Sequence, residues 1–288
     1  MNLRAALYLG RVSNLPTVWT NVLAGIVLSG GDLMQIPLPL LSLSLFYIGG
    51  MYLNDAFDCE IDRRERPERP IPAGLVSLPT VFVAGFGMLA GGIAVLLWGG
   101  YGYEHGTGWR APAAGGLLAT VIIYYNWHHK QNPLSPLIMG ACRMLVYVTA
   151  ALTVTTALSD KIFVAAVALL CYLIGLTYIA KQEHLGTVKR FWPLAFWLVP
   201  LGYLLPTVLV SVSGAVLYAV FVGWVGFALS YLLRPSHISV PTAVAFLLAG
   251  ISLLDALLIA GEGVAALAWV AVGGFGLTLI MQRAIPAT

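Results

Sequence analysis

The chain has 288 residues, of which 59% are hydrophobic and only 9% charged, with a formal net charge of +3. A soluble domain carries about 25% charged residues, so this composition excludes a soluble globular fold and reads as an all-α polytopic membrane protein. Cys59, Cys142 and Cys171 are odd in number, widely spaced and without a CxxC pair, which indicates neither a disulfide framework nor a thiolate metal site.

At the N-terminus Arg4 precedes only a short apolar run before Arg11, a poor cleavable signal, so the first span is expected to serve as its own insertion signal. Apolar runs of spanning length fall near 14–31, 37–58, 78–100, 111–127, 135–158, 161–180, 191–211, 213–233, 238–260 and 264–282. Pro193, Pro200 and Pro206 interrupt the run 191–211, which is expected to be kinked or partly re-entrant, so nine or ten spans are expected. The loops are short, which predicts a single domain over 1–288. Alternating spans from an inside N-terminus collect Arg4, Arg11, Arg63, Arg64, Arg66, Arg69, Lys130, Lys181, Lys189, Arg190, Arg234 and Arg283 on one face. The other face receives Arg110 and Lys161, and Arg143 lies within a span. By the positive-inside rule the rich face is cytoplasmic, which predicts an integral protein of a plasma or inner membrane.

The most informative stretch ends the second run: Asn54-Asp55-Ala-Phe-Asp58-Cys-Glu-Ile-Asp62, followed by Arg63, Arg64, Arg66 and Arg69. If the helix continues through Asp62, Asp55 and Asp62 stand about 20° apart around its axis, with Asp58 about 60° to the side. Three carboxylates on one face repel one another. A hard cation such as Mg²⁺, which prefers carboxylate oxygens and shares its remaining positions with phosphates, relieves that cost. The competing reading is a solvated helix end paired internally with Arg63, Arg64 and Arg66.

Asn54-Asp55-x-x-Asp58-x-x-x-Asp62, with the trailing Arg69-Pro70-Ile71-Pro72-Ala73-Gly74, resembles the first aspartate-rich motif of the UbiA-type intramembrane prenyltransferases. The segment from Arg11 through Asn14 and Pro16 to Asn21 is similar to that family's first helix, and Asn126 to Lys130 with Gly140-Ala-Cys-Arg143 to its middle. The resemblance covers about the first two-thirds of the chain. It implies a helical bundle around a central cavity open to the cytoplasmic side. It also implies transfer of an isoprenyl group from a prenyl diphosphate to a lipophilic or amphipathic acceptor, through an allylic cation and with Mg²⁺. The lipid bilayer is the other partner, and no nucleic acid is expected.

Carried over by position, Asp55, Asp58, Asp62 and Glu183 are the metal and catalytic candidates. Asn14, Asn54, Arg69, Lys130, Arg143, Tyr178, Lys181 and Gln182 are the substrate-binding ones, with Arg69, Lys130 and Arg143 expected on the diphosphate. The sequence departs from the pattern at the second motif, where a tyrosine followed by DxxxD is usual. Here Tyr178-Ile-Ala-Lys181-Gln182-Glu183-His184-Leu-Gly186 keeps one acidic residue, a variant similar to the EboC-like branch. That degeneracy supports the alternative of a non-catalytic isoprenoid or lipid binder, or a transporter, on the same fold. A CDP-alcohol phosphotransferase would need a DG-x-x-AR segment that the chain lacks. Asp255 is also intramembrane and is left outside the site.

Overall fold

A computed structural model of the chain describes residues 2–103, 106–130, 132–182, 192–233 and 239–287, and every regular element among them is helical. Helix α1 (Leu3–Leu9) is capped by Asn2, whose side chain accepts from the Ala5 amide. The chain then turns through Arg11, which takes a left-handed φ of 41°, into a 3₁₀ turn (Val12–Asn14) and α2 (Leu15–Leu28). After a second 3₁₀ turn (Leu33–Gln35) come α3 (Pro37–Phe57), α4 (Cys59–Glu65), α5 (Leu78–Tyr101), α6 (Arg110–His128), α7 (Ser135–Val154) and α8 (Asp160–Lys181). A 3₁₀ segment (Trp192–Trp197) then leads to α9 (Leu198–Leu204), α10 (Thr207–Val210), α11 (Val212–Leu233), α12 (Val240–Gly261) and α13 (Ala265–Gln282).

Each apolar run falls on a helical segment. Among the described residues, 7 helical segments are long and apolar enough to cross a membrane, against the nine or ten expected: α5, α7, α8, Trp192–Leu209, α11, α12 and α13. The expected interruption of run 191–211 is present, because its prolines divide it into a 3₁₀ segment and two short helices. α2 stops at Leu28, short of the expected 31, because Gly30 takes φ +66° after it.

The most enclosed helix is α12. Its apolar window is 83% buried, whereas that of α13 is 17% buried and that of α5 28%. A helix that is apolar all round belongs inside a bundle, and α12 packs against α2, α8, α11 and α13. Two cores result. One joins α2, α3, α5, α6 and α7, and the other joins α2, α7, α8, α11, α12 and α13. The helices α2 and α7 form the seam between them, and the cavity described below opens along it.

Helices α3 and α5 approach each other at glycines. A Cβ on Gly49 would sit 2.8 Å from the Gly85 carbonyl oxygen, while one on Gly87 would meet nothing within 4 Å. In a helix, Gly→Ala ordinarily gains about 0.5–1 kcal/mol. Gly49→Ala is therefore expected to reverse that sign and destabilise by about 1–3 kcal/mol, with Gly87→Ala neutral or stabilising. Thermal unfolding in detergent checks the pair.

Candidate active site

The junction of α3 and α4 carries the aspartates. The helix does not run through unbroken: α3 ends at Phe57, and Asp58 sits at the junction with φ −82° and ψ −3°. Backbone bonds still cross it, from the Asp58 amide to the Asn54 carbonyl (3.0 Å) and from the Asp62 amide to the Asp58 carbonyl (2.9 Å). The helical spacing therefore survives, and Asp55, Asp58 and Asp62 are all buried, at 5%, 4% and 3% exposure. Buried carboxylates demand charged partners.

Those partners come from elsewhere in the chain. Arg11 Nη2 lies 2.9 Å from Asp55 Oδ1 and 3.2 Å from Asn54 Oδ1. Arg69 Nη1 bridges Asp62 Oδ2 (2.8 Å) and Asp55 Oδ1 (3.3 Å). His129 Nε2 and Lys130 Nζ each stand 3.4 Å from Asp58 Oδ2. Arg63 instead pairs with Glu60 on the exposed face. Local sequence explains where Arg69 points. Behind it the chain closes a tight turn, with the Ala73 amide on the Arg69 carbonyl (2.9 Å), the Leu75 amide on the Pro70 carbonyl (3.0 Å), and Gly74 at φ +72°.

These surroundings separate the carboxylates. Burial pushes Asp58 up, but His129 and Lys130 outweigh it and hold the group below its ordinary range. Asp62 ends above its ordinary range: burial raises it, Arg69 only partly compensates, and Asp55 and Asp58 add to the rise. Arg69 is raised, because Asp55 and Asp62 more than offset its burial.

Amides brace the cluster. Asn54 Nδ2 donates to Asn126 Oδ1 (3.1 Å), and Asn126 Nδ2 donates to the Gly50 carbonyl (2.9 Å). Arg11, Asn126 and His129 are thus neighbours of the cluster that sequence reasoning did not assign to the site. The signals were their places in the segments that resemble the family, Arg11 three residues before Asn14, and Asn126 and His129 in the stretch that ends at Lys130.

Beside the cluster lies a mostly apolar cavity of about 230 Å³, lined by Phe46, Tyr47, Tyr125, Met139 and Leu176 among others, with Arg11 and Asn14 at one end. Arg11 and Asp55 also border a polar pocket of about 580 Å³, which carries Arg4, Arg66 and Arg69. Asn14 is fully engaged: Nδ2 donates to the Ala287 carbonyl and Oδ1 accepts from Gln282, both at 2.9 Å. Arg143 lines the cavity with its guanidinium carbon 5.4 Å from the centre of the Tyr47 ring. Tyr47 is eight residues from Asp55 on α3, or about 12 Å along the axis, so Arg143 stands well inside the cavity, apart from the other diphosphate candidates.

At the second motif, Lys181 Nζ donates to the Asn132 carbonyl (2.7 Å), and Gln182 Nε2 lies 3.5 Å from the Tyr178 carbonyl. The Tyr178 ring stands 6.5 Å from that of Trp192, and its neighbours Thr177 and Ala180 line the cavity in its place. Glu183 lies outside the described residues.

Among the described residues, no three acidic, His or Cys groups converge as they stand on a metal position. A cation does occupy the space between Asp55 and Asp62, namely the Arg69 guanidinium. Three carboxylates and the Asn54 amide form a hard-oxygen donor set that suits Mg²⁺.

The sequence profile described as the UbiA prenyltransferase family matches residues 15–237. A digeranylgeranylglyceryl phosphate synthase of Methanopyrus kandleri is 29% identical over 134 residues, covering 46% of each chain. Matches to such curated relatives thus span less than half of their length. A UbiA homologue from Aeropyrum pernix K1 superposes with a TM-score of 0.66 at 17% identity, covering 86% of this chain and 96% of that one. A UbiA homologue from Archaeoglobus fulgidus, solved with GPP and Mg²⁺ bound, gives 0.61 at 13% identity, covering 91% and 99%.

Proposed function

The chain belongs to the UbiA prenyltransferase family, and on that premise we propose that it transfers an isoprenyl group from a prenyl diphosphate to a lipophilic or amphipathic acceptor within the membrane. One observation carries the reading: three buried carboxylates, each facing basic groups, stand beside a mostly apolar cavity whose lining includes Arg11, the partner of Asp55. The diphosphate belongs at the polar end, where Arg11, Arg69, His129 and Lys130 supply donors. The isoprenoid belongs in the cavity. Asp55, Asp58 and Asp62, with Asn54, would hold Mg²⁺, which when bound stabilises the charge of the leaving diphosphate.

As the carbon–oxygen bond breaks, its electron pair stays on the diphosphate, and Arg69 and Lys130 meet the charge developing there. The allylic cation left behind faces the rings of Tyr47 and Tyr125, which favour a cation over a π-face. The acceptor attacks that carbon and loses a proton. Glu183 is the proposed base or completing metal ligand. Arg143, deeper in the cavity, is assigned to the acceptor's polar group. The distribution of lysine and arginine supports a site at the cytoplasmic face.

A second reading, a non-catalytic isoprenoid binder or transporter, draws on the degenerate second motif, where Gln182 and Gly186 stand near the positions at which the family pattern has aspartates. Purified protein in nanodiscs, given prenyl diphosphates of increasing length with Mg²⁺ or with EDTA, separates the two. Mg²⁺-dependent release of diphosphate supports the transferase. Binding of every donor without release would favour the binder.

The pH dependence follows from the carboxylates. Asp62 must be ionised to hold a cation, and its pKa lies above the ordinary range. Activity is therefore expected to fall, as pH drops, through a higher value than a free aspartate would give. Asp58, held low, stays ionised through that window. In Arg69→Gln the acid limb should move higher still, because the group that lowers Asp62 is gone. A kcat/KM profile on a prenyl diphosphate that transfers checks this.

A further inference from the structure

Across the seam from the aspartate cluster, a second polar assembly lies wholly inside the bundle, and the reading above leaves its innermost member unused. Asp255, on the buried helix α12, is 0% exposed. Both of its carboxylate oxygens accept from Asn21 Nδ2, at 3.0 and 2.8 Å, and Oδ1 also accepts from the Tyr147 hydroxyl. Asn21 in turn presents Oδ1 to Arg143 Nη1 at 2.9 Å, and Arg143 Nη2 donates to Thr17 Oγ1 at 3.1 Å.

Hydrogen-bond chemistry forces the direction of this chain. An ionised carboxylate can only accept and a guanidinium can only donate, so the amide between them has one workable orientation, NH₂ toward Asp255 and C=O toward Arg143. Asp255 also balances the charge of Arg143, which is costly in hydrocarbon without a partner. Among the elements packed on this assembly, α2 supplies Thr17, Thr20 and Asn21, α7 supplies Arg143 and Tyr147, and α12 supplies Ser252 and Asp255. The only outlet of the assembly among these residues is Arg143, which lines the cavity.

We propose that Asp255 is a positioning residue: through Asn21 it fixes the guanidinium of Arg143 at the inner end of the cavity, where it holds the polar group of the acceptor in line with the allylic carbon. This rests on the prenyl-transfer reading. The residue does not touch the acceptor or the donor. It sets where Arg143 can point.

The consequence is a partition between two fates of the donor. With Arg143 in register the allylic carbon is captured by the acceptor, and with Arg143 displaced it is captured by water. Asp255→Asn replaces one of the two acceptors facing Asn21 Nδ2 with an NH₂ group, which removes the charge that balances Arg143 and one of the bonds that fix the Asn21 amide. The double variant, Asn21→Asp with Asp255→Asn, returns a carboxylate to the path and restores an acceptor for Arg143. The carboxylate now at position 21 accepts from Arg143 and from the amide at position 255, whose oxygen accepts from Tyr147.

The experiment uses the full chain in nanodiscs, labelled geranylgeranyl diphosphate, and a total lipid extract of the host membrane as acceptor source. It reads the ratio of prenyl transferred to diphosphate released, a quantity independent of how much protein is folded. Asp255→Asn is expected to lower the ratio about tenfold, the effect of losing one bond to a charged group, and the double variant to restore it to within about threefold. In parallel, the ¹⁵N side-chain resonances of Arg143, identified by their loss in Arg143→Lys, should be rotationally held in the wild type and the double variant and averaged in Asp255→Asn. A ratio unchanged in Asp255→Asn, or a folded double variant that stays uncoupled, overturns the proposal and leaves Asp255 as a structural counter-ion. If the wild type releases no diphosphate, prenyl transfer fails instead, and the arginine resonances alone decide whether Asp255 fixes Arg143.

Discussion

Asp58→Asn is expected to lower Mg²⁺-dependent prenyl transfer by about two to three orders of magnitude, the scale of removing one electrostatic element from a preorganised site. The substitution keeps shape and removes charge. Asp58 is the carboxylate that two basic groups hold low, with His129 and Lys130 both 3.4 Å from Oδ2. It is thus held ionised at neutral pH, as a ligand to a hard cation must be. It also joins α3 to the end of α6, so its loss should loosen both the cation site and the placing of Lys130. Glu60→Gln is the matched control. Glu60 lies on α4 but pairs with Arg63 on the exposed face, and its replacement should leave transfer within about twofold, as for surface changes generally. Equal losses in the two variants would mean that helix charge, rather than this position, matters.

Arg69→Met is expected to change two measurements in opposite directions. Its guanidinium bridges Asp55 and Asp62 where a metal would need those oxygens. Removing it removes a competitor, so Mn²⁺ binding followed by electron paramagnetic resonance should tighten in the absence of donor. Transfer should nevertheless fall about tenfold to a hundredfold, the scale of losing charge-assisted bonds to the leaving diphosphate. Weaker Mn²⁺ binding would instead make Arg69 an organiser of the carboxylates, needed to hold them together against their mutual repulsion.

The helices were legible in the sequence because a bilayer demands long apolar runs with satisfied backbones, and those runs are visible as composition. The aspartate cluster was legible for a related reason: its members lie on consecutive helical turns across the α3–α4 junction, where the helical spacing survives, so spacing alone places them. Its partners were not. Arg11 reaches Asp55 from 44 positions away and His129 reaches Asp58 from 71, and no local pattern encodes such pairings. Asn126 reads as an ordinary interface amide until its bond to Asn54 is seen. For Asp255 the sequence states only that a buried carboxylate needs company. That the company is Asn21 and Tyr147, from α2 and α7, is a property of packing around α12. Proximity in sequence left pairing of the aspartates with Arg63 open as the competing reading, and the helix instead turns Arg63 outward to Glu60.

One measurement bears most directly on the central claim, that the chain breaks a prenyl diphosphate and passes the prenyl group on. Labelled geranylgeranyl diphosphate is incubated for a single turnover with the protein in nanodiscs, Mg²⁺ and the membrane lipid extract, and the products are separated and weighed by mass spectrometry. The account predicts label in a lipid heavier by one prenyl group, with one diphosphate released for each and neither formed in EDTA. Label recovered as intact diphosphate, bound to the protein with no new lipid formed, would contradict it.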